Sequence, residues 1–77
     1  MINEHNRIVL TVDLPTSGLQ AGDVGTVVHI YQSGKAYEVE FMTLLGETID
    51  VVEVSPGQIR PVQENEIANA RKVVMSH

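Results

Sequence analysis

Ala21-Gly22-Asp23-Val24-Gly25-Thr26-Val27-Val28-His29-Ile30-Tyr31, then Gln32-Ser33-Gly34-Lys35, then Ala36-Tyr37-Glu38-Val39-Glu40-Phe41: this run decides the fold. It reads as a glycine-punctuated turn, a β-branched strand, a tight turn and an alternating strand. In the last segment Tyr37, Val39 and Phe41 point one way and Glu38 and Glu40 the other, the period-two pattern of a half-buried strand. Val27, Val28, Ile30 and Tyr31 do not alternate. That irregularity predicts a bent strand that feeds the core on both sides of its bend, with Gly25 marking the bend. Gly34 supplies the unusual φ that a tight hairpin turn needs.

Working outward, Ile8-Val9-Leu10-Thr11-Val12 has the composition of a first strand. Residues 13–23 form a long loop, since Pro15 removes a ladder donor and Gly18 and Gly22 permit positive φ. Leu14 and Leu19 are expected to pin this loop to the core. After the hairpin, Thr43-Leu44-Leu45-Gly46-Glu47 is a turn with two apolar residues at its tip. Residues 48–54 form a fourth strand with two candidate registers. Either Ile49 and Val51 face inward, or Val52 and Val54 do, and a bulge would reconcile both. Ser55-Pro56-Gly57 suits a single 3₁₀ turn. Gln58-Ile59-Arg60-Pro61-Val62 is a short last strand, which Pro61 confines to an edge or a strand end.

Five short strands with no intervening helix predict an all-β protein, a five-stranded antiparallel SH3-like barrel over residues 7–62. The tail, residues 63–77, reads differently. Ile67, Ala70 and Val74 recur at helical spacing, with Glu64 and Glu66 at the start and Arg71 and Lys72 near the end, which suits the helix macrodipole. The expectation is a short amphipathic helix that docks or frays, since isolated helices below ~12–15 residues are marginal in water.

The composition bounds the function. The chain has 77 residues, no cysteine and a formal charge of −5, from ten acidic and five basic residues. A single small domain without disulfide or Cys-metal support must rely on its apolar core or on a partner. The acidic balance argues against nucleic acid, where Lys and Arg supply most of the affinity, and against anionic membranes. Residues 1–7 hold no apolar or basic signal-peptide region, and no apolar run approaches the ~18 residues that span a bilayer. The expected location is the cytoplasm.

No catalytic constellation emerges. Ser17, Ser33, Ser55 and Ser76 have no adjacent base, and no Gly-x-Ser-x-Gly elbow occurs. His29 with Asp23 or Asp50 could form an acid/base pair, but a strand histidine in so small a domain reads better as a surface residue. Gly22-Asp23-Val24-Gly25 lacks the Lys, the glycine spacing and the following helix of a phosphate loop. Glu38, Glu40, Asp50 and Glu53 could offer oxygens to a hard cation, but read better as a solvated sheet face. His5, His29 and His77 show no ligand spacing. We expect no enzyme activity, no metal and no cofactor.

Leu14-Pro15, Gly22-Asp23-Val24-Gly25-Thr26-Val27-Val28, Tyr37-Glu38-Val39-Glu40-Phe41 and Ile59-Arg60-Pro61-Val62, in that order and spacing, resemble the domain of unknown function 4926 family of short bacterial proteins. The resemblance covers residues 8–62. It implies a small SH3-like β-barrel with no assigned activity and no assigned catalytic residue. More distantly, the glycine-rich start and the Tyr-x-Val-x-Phe strand are similar to the barrel of nitrile hydratase β subunits and to KOW motifs. The acidity departs from KOW proteins, and nothing outside the barrel matches the nitrile hydratase subunit.

The expected function is a non-catalytic protein-interaction module, an accessory or regulatory subunit of an unidentified protein partner. Its expected contact residues are Tyr31, Leu44, Leu45, Ile67 and Val74, because aromatic and exposed apolar anchors are typical of interfaces. Self-association through an open strand edge is a further expectation. Two alternatives come from other classes: a KOW-like nucleic-acid-binding barrel, and a small subunit that completes an enzyme site with a partner chain.

Overall fold

A computed structural model describes residues 2–74. It contains strands β1 (Arg7–Leu10), β2 (Val24–Tyr31), β3 (Ala36–Met42), β4 (Thr48–Val54) and β5 (Ile59–Pro61), with 3₁₀ turns at Pro15–Ser17 and Pro56–Gln58. All pairings are antiparallel and the order is β4-β3-β2-β1-β5. The strands make one sheet that does not close; β4 and β5 are its edges. Among the described residues no helix is long and apolar enough to cross a membrane.

Alternation and two bulges build the core. On β3, Tyr37, Val39 and Phe41 are buried and the residues between them are not. On β2 the register shifts between Val27 and His29, leaving Val28 as the extra residue. An extra residue reverses the alternation. Val27 is therefore buried and Ile30, three residues on, also packs against the core. On β4 the register shifts again: Phe41 pairs with Asp50 and Met42 with Thr48, so Ile49 is the extra residue. This bulge reconciles the two registers, since Ile49, Val52 and Val54 all reach the core while Val51 faces outward. Ile8, Leu10 and Ile59 fill the β1–β5 side.

The long loop is pinned as its apolar residues predict. Leu19 is buried, Leu14 packs against the core, and the two residues pair with each other. The 3₁₀ turn before β5 is tied back to β1, since Thr11 donates its amide to Gln58 and its hydroxyl to Gly57.

The tail departs from expectation. Residues 62–74 contain no helix; the last three residues of the expected helix, Met75, Ser76 and His77, lie outside the described residues. The physical reason lies in two contacts beyond the reach of local periodicity. Glu66 is paired with Arg60 of β5, and Arg71 with Asp23 at the start of β2. Both pairs fall within the segment and hold its irregular backbone against β5 and the start of β2. With Ile67 and Val74 both exposed, no apolar stripe is buried that would stabilise a helix this short.

Candidate functional site

Met42 ends β3 and delivers the chain into the Thr43–Gly46 turn. Gly46 donates to the Thr43 carbonyl at 2.9 Å, with φ +93° at Gly46. The Thr43 amide donates to the Glu47 carbonyl at 2.7 Å, and Glu47 returns its amide to Thr43 Oγ1 at 3.0 Å. These bonds close the turn and leave the two central side chains outside. Leu44 is 77% exposed and Leu45 is 99% exposed. A leucine left in water forgoes about 1.5–3 kcal/mol of burial, so two adjacent ones on a hydrogen-bonded turn form a preformed apolar tip. Met42, at the end of β3, extends it as a partly exposed neighbour.

The structure brings Leu44 and Ile67 together. Both line a groove of about 550 Å³ floored by Leu19, Met42 and Ile49. A second hollow, about 390 Å³, lies on the other side of Ile67 and Ala68, against Val9, Thr26 and Arg60. Leu45 stands at the tip and lines neither hollow, and Val74 is exposed beyond the groove.

Tyr31 is not part of this cluster. It pairs with Ala36 at the opposite end of β3 from Leu44. At ~3.3 Å per residue the two lie roughly 20 Å apart. Tyr31 has its own surroundings: its ring meets His29 edge-on at a centroid distance of 4.4 Å. Its phenol is held above its ordinary pKa by partial desolvation, then by the charge of Glu38 and a hydrogen bond to it, and by Glu53. Glu38 stands opposite both His29 and Glu53 in the sheet register. Glu4 approaches His29 Nδ1 at 3.9 Å.

The candidate acid/base partners of His29 are engaged elsewhere. The Asp23 carboxylate receives Arg71, and Asp50 Oδ1 accepts the amide of Val51 at 2.8 Å. Glu40 accepts the hydroxyl of Thr48 at 2.6 Å. Among the described residues no group of three acidic or histidine side chains is arranged to hold a metal ion.

The Arg71–Asp23 pair escapes sequence reasoning. Arg71 Nε donates to Asp23 Oδ1 at 2.9 Å and Nη2 donates to Oδ2, a bidentate contact between residues 48 apart. Hydrogen bonding to the Asp23 carboxylate raises the Arg71 pKa further above its ordinary value; burial opposes this, and the charge of Asp23 adds a smaller rise. Arg60 and Glu66 form a second bidentate pair, at 2.9 and 2.6 Å, in which Glu66 also accepts the Gln63 amide. Those bonds hold the Glu66 carboxyl down at about 2.

The profile of the domain of unknown function 4926 (DUF4926) matches residues 4–61. The chain belongs to this family. The DUF4926 match takes in all five strands and the Leu44–Leu45 turn, and it stops before Glu66 and Arg71. Asp23 and Arg60 thus lie inside the DUF4926 unit and their tail partners lie outside it. No curated protein and no solved structure matches the chain.

Proposed function

We propose that this DUF4926 chain is a non-catalytic protein-interaction module, an accessory or regulatory subunit acting in the bacterial cytoplasm. Its scaffold is an SH3-like barrel: a β2-β3-β4 meander joined through β1 to a short β5, with bulges that bend the sheet toward closure. The observation that carries the reading is the apolar tip, Leu44 and Leu45 on a hydrogen-bonded turn, continuous with Met42, with Leu44 bordering the same groove as Ile67. Exposed apolar residues clustered on a rigid element are characteristic of contact surfaces. Tyr31, at the far end of β3, belongs to a separate surface and is tested separately.

The charge distribution favours a protein over a nucleic acid. Arg60 and Arg71 are both committed to carboxylates, which leaves few cations for phosphates. The test is affinity capture of the tagged chain from its host lysate, beside Leu44→Ser/Leu45→Ser and Tyr31→Ala variants. A stoichiometric protein lost only from the leucine variant supports the reading. A protein retained by that variant overturns the surface, and recovery of nucleic acid with a steep salt dependence favours a KOW-like barrel. A chain that shows turnover only with its captured partner is instead a subunit completing an enzyme site.

A further inference from the structure

Residues 62–74 have no regular structure, and little apolar burial holds them in place: Ile67 is 92% exposed and Val74 88%, and Val73 alone of their apolar side chains is half-buried, at the groove. Charge holds them chiefly, at two points. The near clamp is Arg60–Glu66. The far clamp is Arg71–Asp23, the better shielded of the two, with side chains 28% and 17% exposed against 36% and 33%. Between the clamps, Ile67 and Ala68 bridge the two hollows and stand off from the sheet.

Asp23 is prepared for this contact by the folded domain. Its Oδ2 accepts the Gln20 amide at 2.8 Å, its own amide donates to Gln20 at 3.0 Å, and its carbonyl accepts the Leu10 amide at 2.9 Å. The receptor carboxylate is thus fixed by the loop and β1, and only Arg71 has to be ordered on closing. A bidentate guanidinium–carboxylate pair is strong for a surface contact and geometrically exclusive. The segment between Glu66 of the near clamp and Arg71 is short, so opening the latch releases little else.

We propose that residues 63–74 form a strap over the groove of Leu19, Met42, Leu44 and Ile49, latched by Arg71 on Asp23 and released when that latch is broken. The strap deepens the interaction reading, and its purpose rests on that reading: it sets how much of the surface around Leu44 is open to a partner. Its geometry does not depend on the identity of that partner.

The test uses the full chain and needs no partner, so it can fail while the interaction reading stands. The absence of cysteine allows one label site, Lys72→Cys, carrying a nitroxide. The amides of residues 20–24 should be broadened in this background. Arg71→Ala and, separately, Asp23→Asn should abolish the broadening while the amide pattern of β1–β5 is kept. Asp23→Asn retains an oxygen acceptor for Gln20, which separates loss of the latch from damage to the loop. In parallel, fluorescence of an apolar dye should rise several-fold in both variants as the groove opens. Broadening that persists in both variants, or that is absent in the reference chain, overturns the strap. Release of the tail without any gain in dye fluorescence overturns the covered groove.

Discussion

Gly25 on β2 faces Val39 on β3 so closely that a Cβ built on Gly25 would lie 2.5 Å from Val39 Cγ1, and 2.8 Å from Phe41 Cε1. Val39 and Phe41 are among the most deeply buried side chains of the core and have no room to retreat. Glycine is needed here for space. Overpacking of a close-packed core costs about 1–3 kcal/mol. Gly25→Ala should therefore lower stability by about 2 kcal/mol, read as a reduced urea midpoint with an unchanged slope.

The β2–β3 turn places three consecutive residues in the left-handed region: Gln32 at φ +46°, Ser33 at +58° and Gly34 at +103°. Tyr31 accepts the amides of Gly34 and Lys35 and closes the turn. A residue with a Cβ adopts this conformation at a cost of roughly 1–2 kcal/mol, which glycine avoids at some loss of chain entropy. Ser33→Gly should stabilise the chain by about 0.5–1 kcal/mol, measured as a higher midpoint in the same denaturation experiment.

Much of this architecture is readable from residues close in sequence. The alternation of Tyr37, Val39 and Phe41 defines β3, and the bounds of β4 are those expected. The conflicting registers of β4 pointed to a bulge, and Ile49 is that bulge. What could not be read depends on distance. The tail pattern of Ile67, Ala70 and Val74 is helical by local periodicity, yet contacts from Asp23 and Arg60 decide its path. Asp23 and Arg71 are 48 residues apart, and neither carries a local mark of the other. Tyr31 and Leu44 both read as surface anchors, but only the β2–β3 register fixes them at opposite ends of one strand. Gly25 reads as a bend from sequence, whereas the extra residue of β2 is Val28 and the glycine answers to Val39.

The apolar tip contributes little to the fold. Leu44 and Leu45 lie outside the core and are largely exposed. Substitutions at such positions usually change stability by less than about 0.5 kcal/mol. Leu44→Ser/Leu45→Ser should leave the denaturation midpoint within that margin. A larger loss would mean that the turn is structural and would undercut its assignment as a contact surface.

Glu66 gives the tail a defined acid limit. Hydrogen bonds from Arg60 and the Gln63 amide lower its pKa from 4.5 to about 2. Between these values the folded chain keeps Glu66 ionised while the unfolded chain takes up a proton. The contribution of the pair is thus fully present above pH 4.5 and is lost as pH falls through about 2. The pair is about one-third exposed, so solvent screens it and the loss should appear first as local release of the near clamp. Titration of the Glu66 side-chain carboxyl carbon by NMR should give a midpoint near 2. Arg60→Gln should return that midpoint toward the ordinary carboxylate range. Glu66→Gln should remove the change in Gln63 amide protection between pH 4.5 and 2. A midpoint near 4.5 in the unaltered chain would mean that the clamp is open in solution.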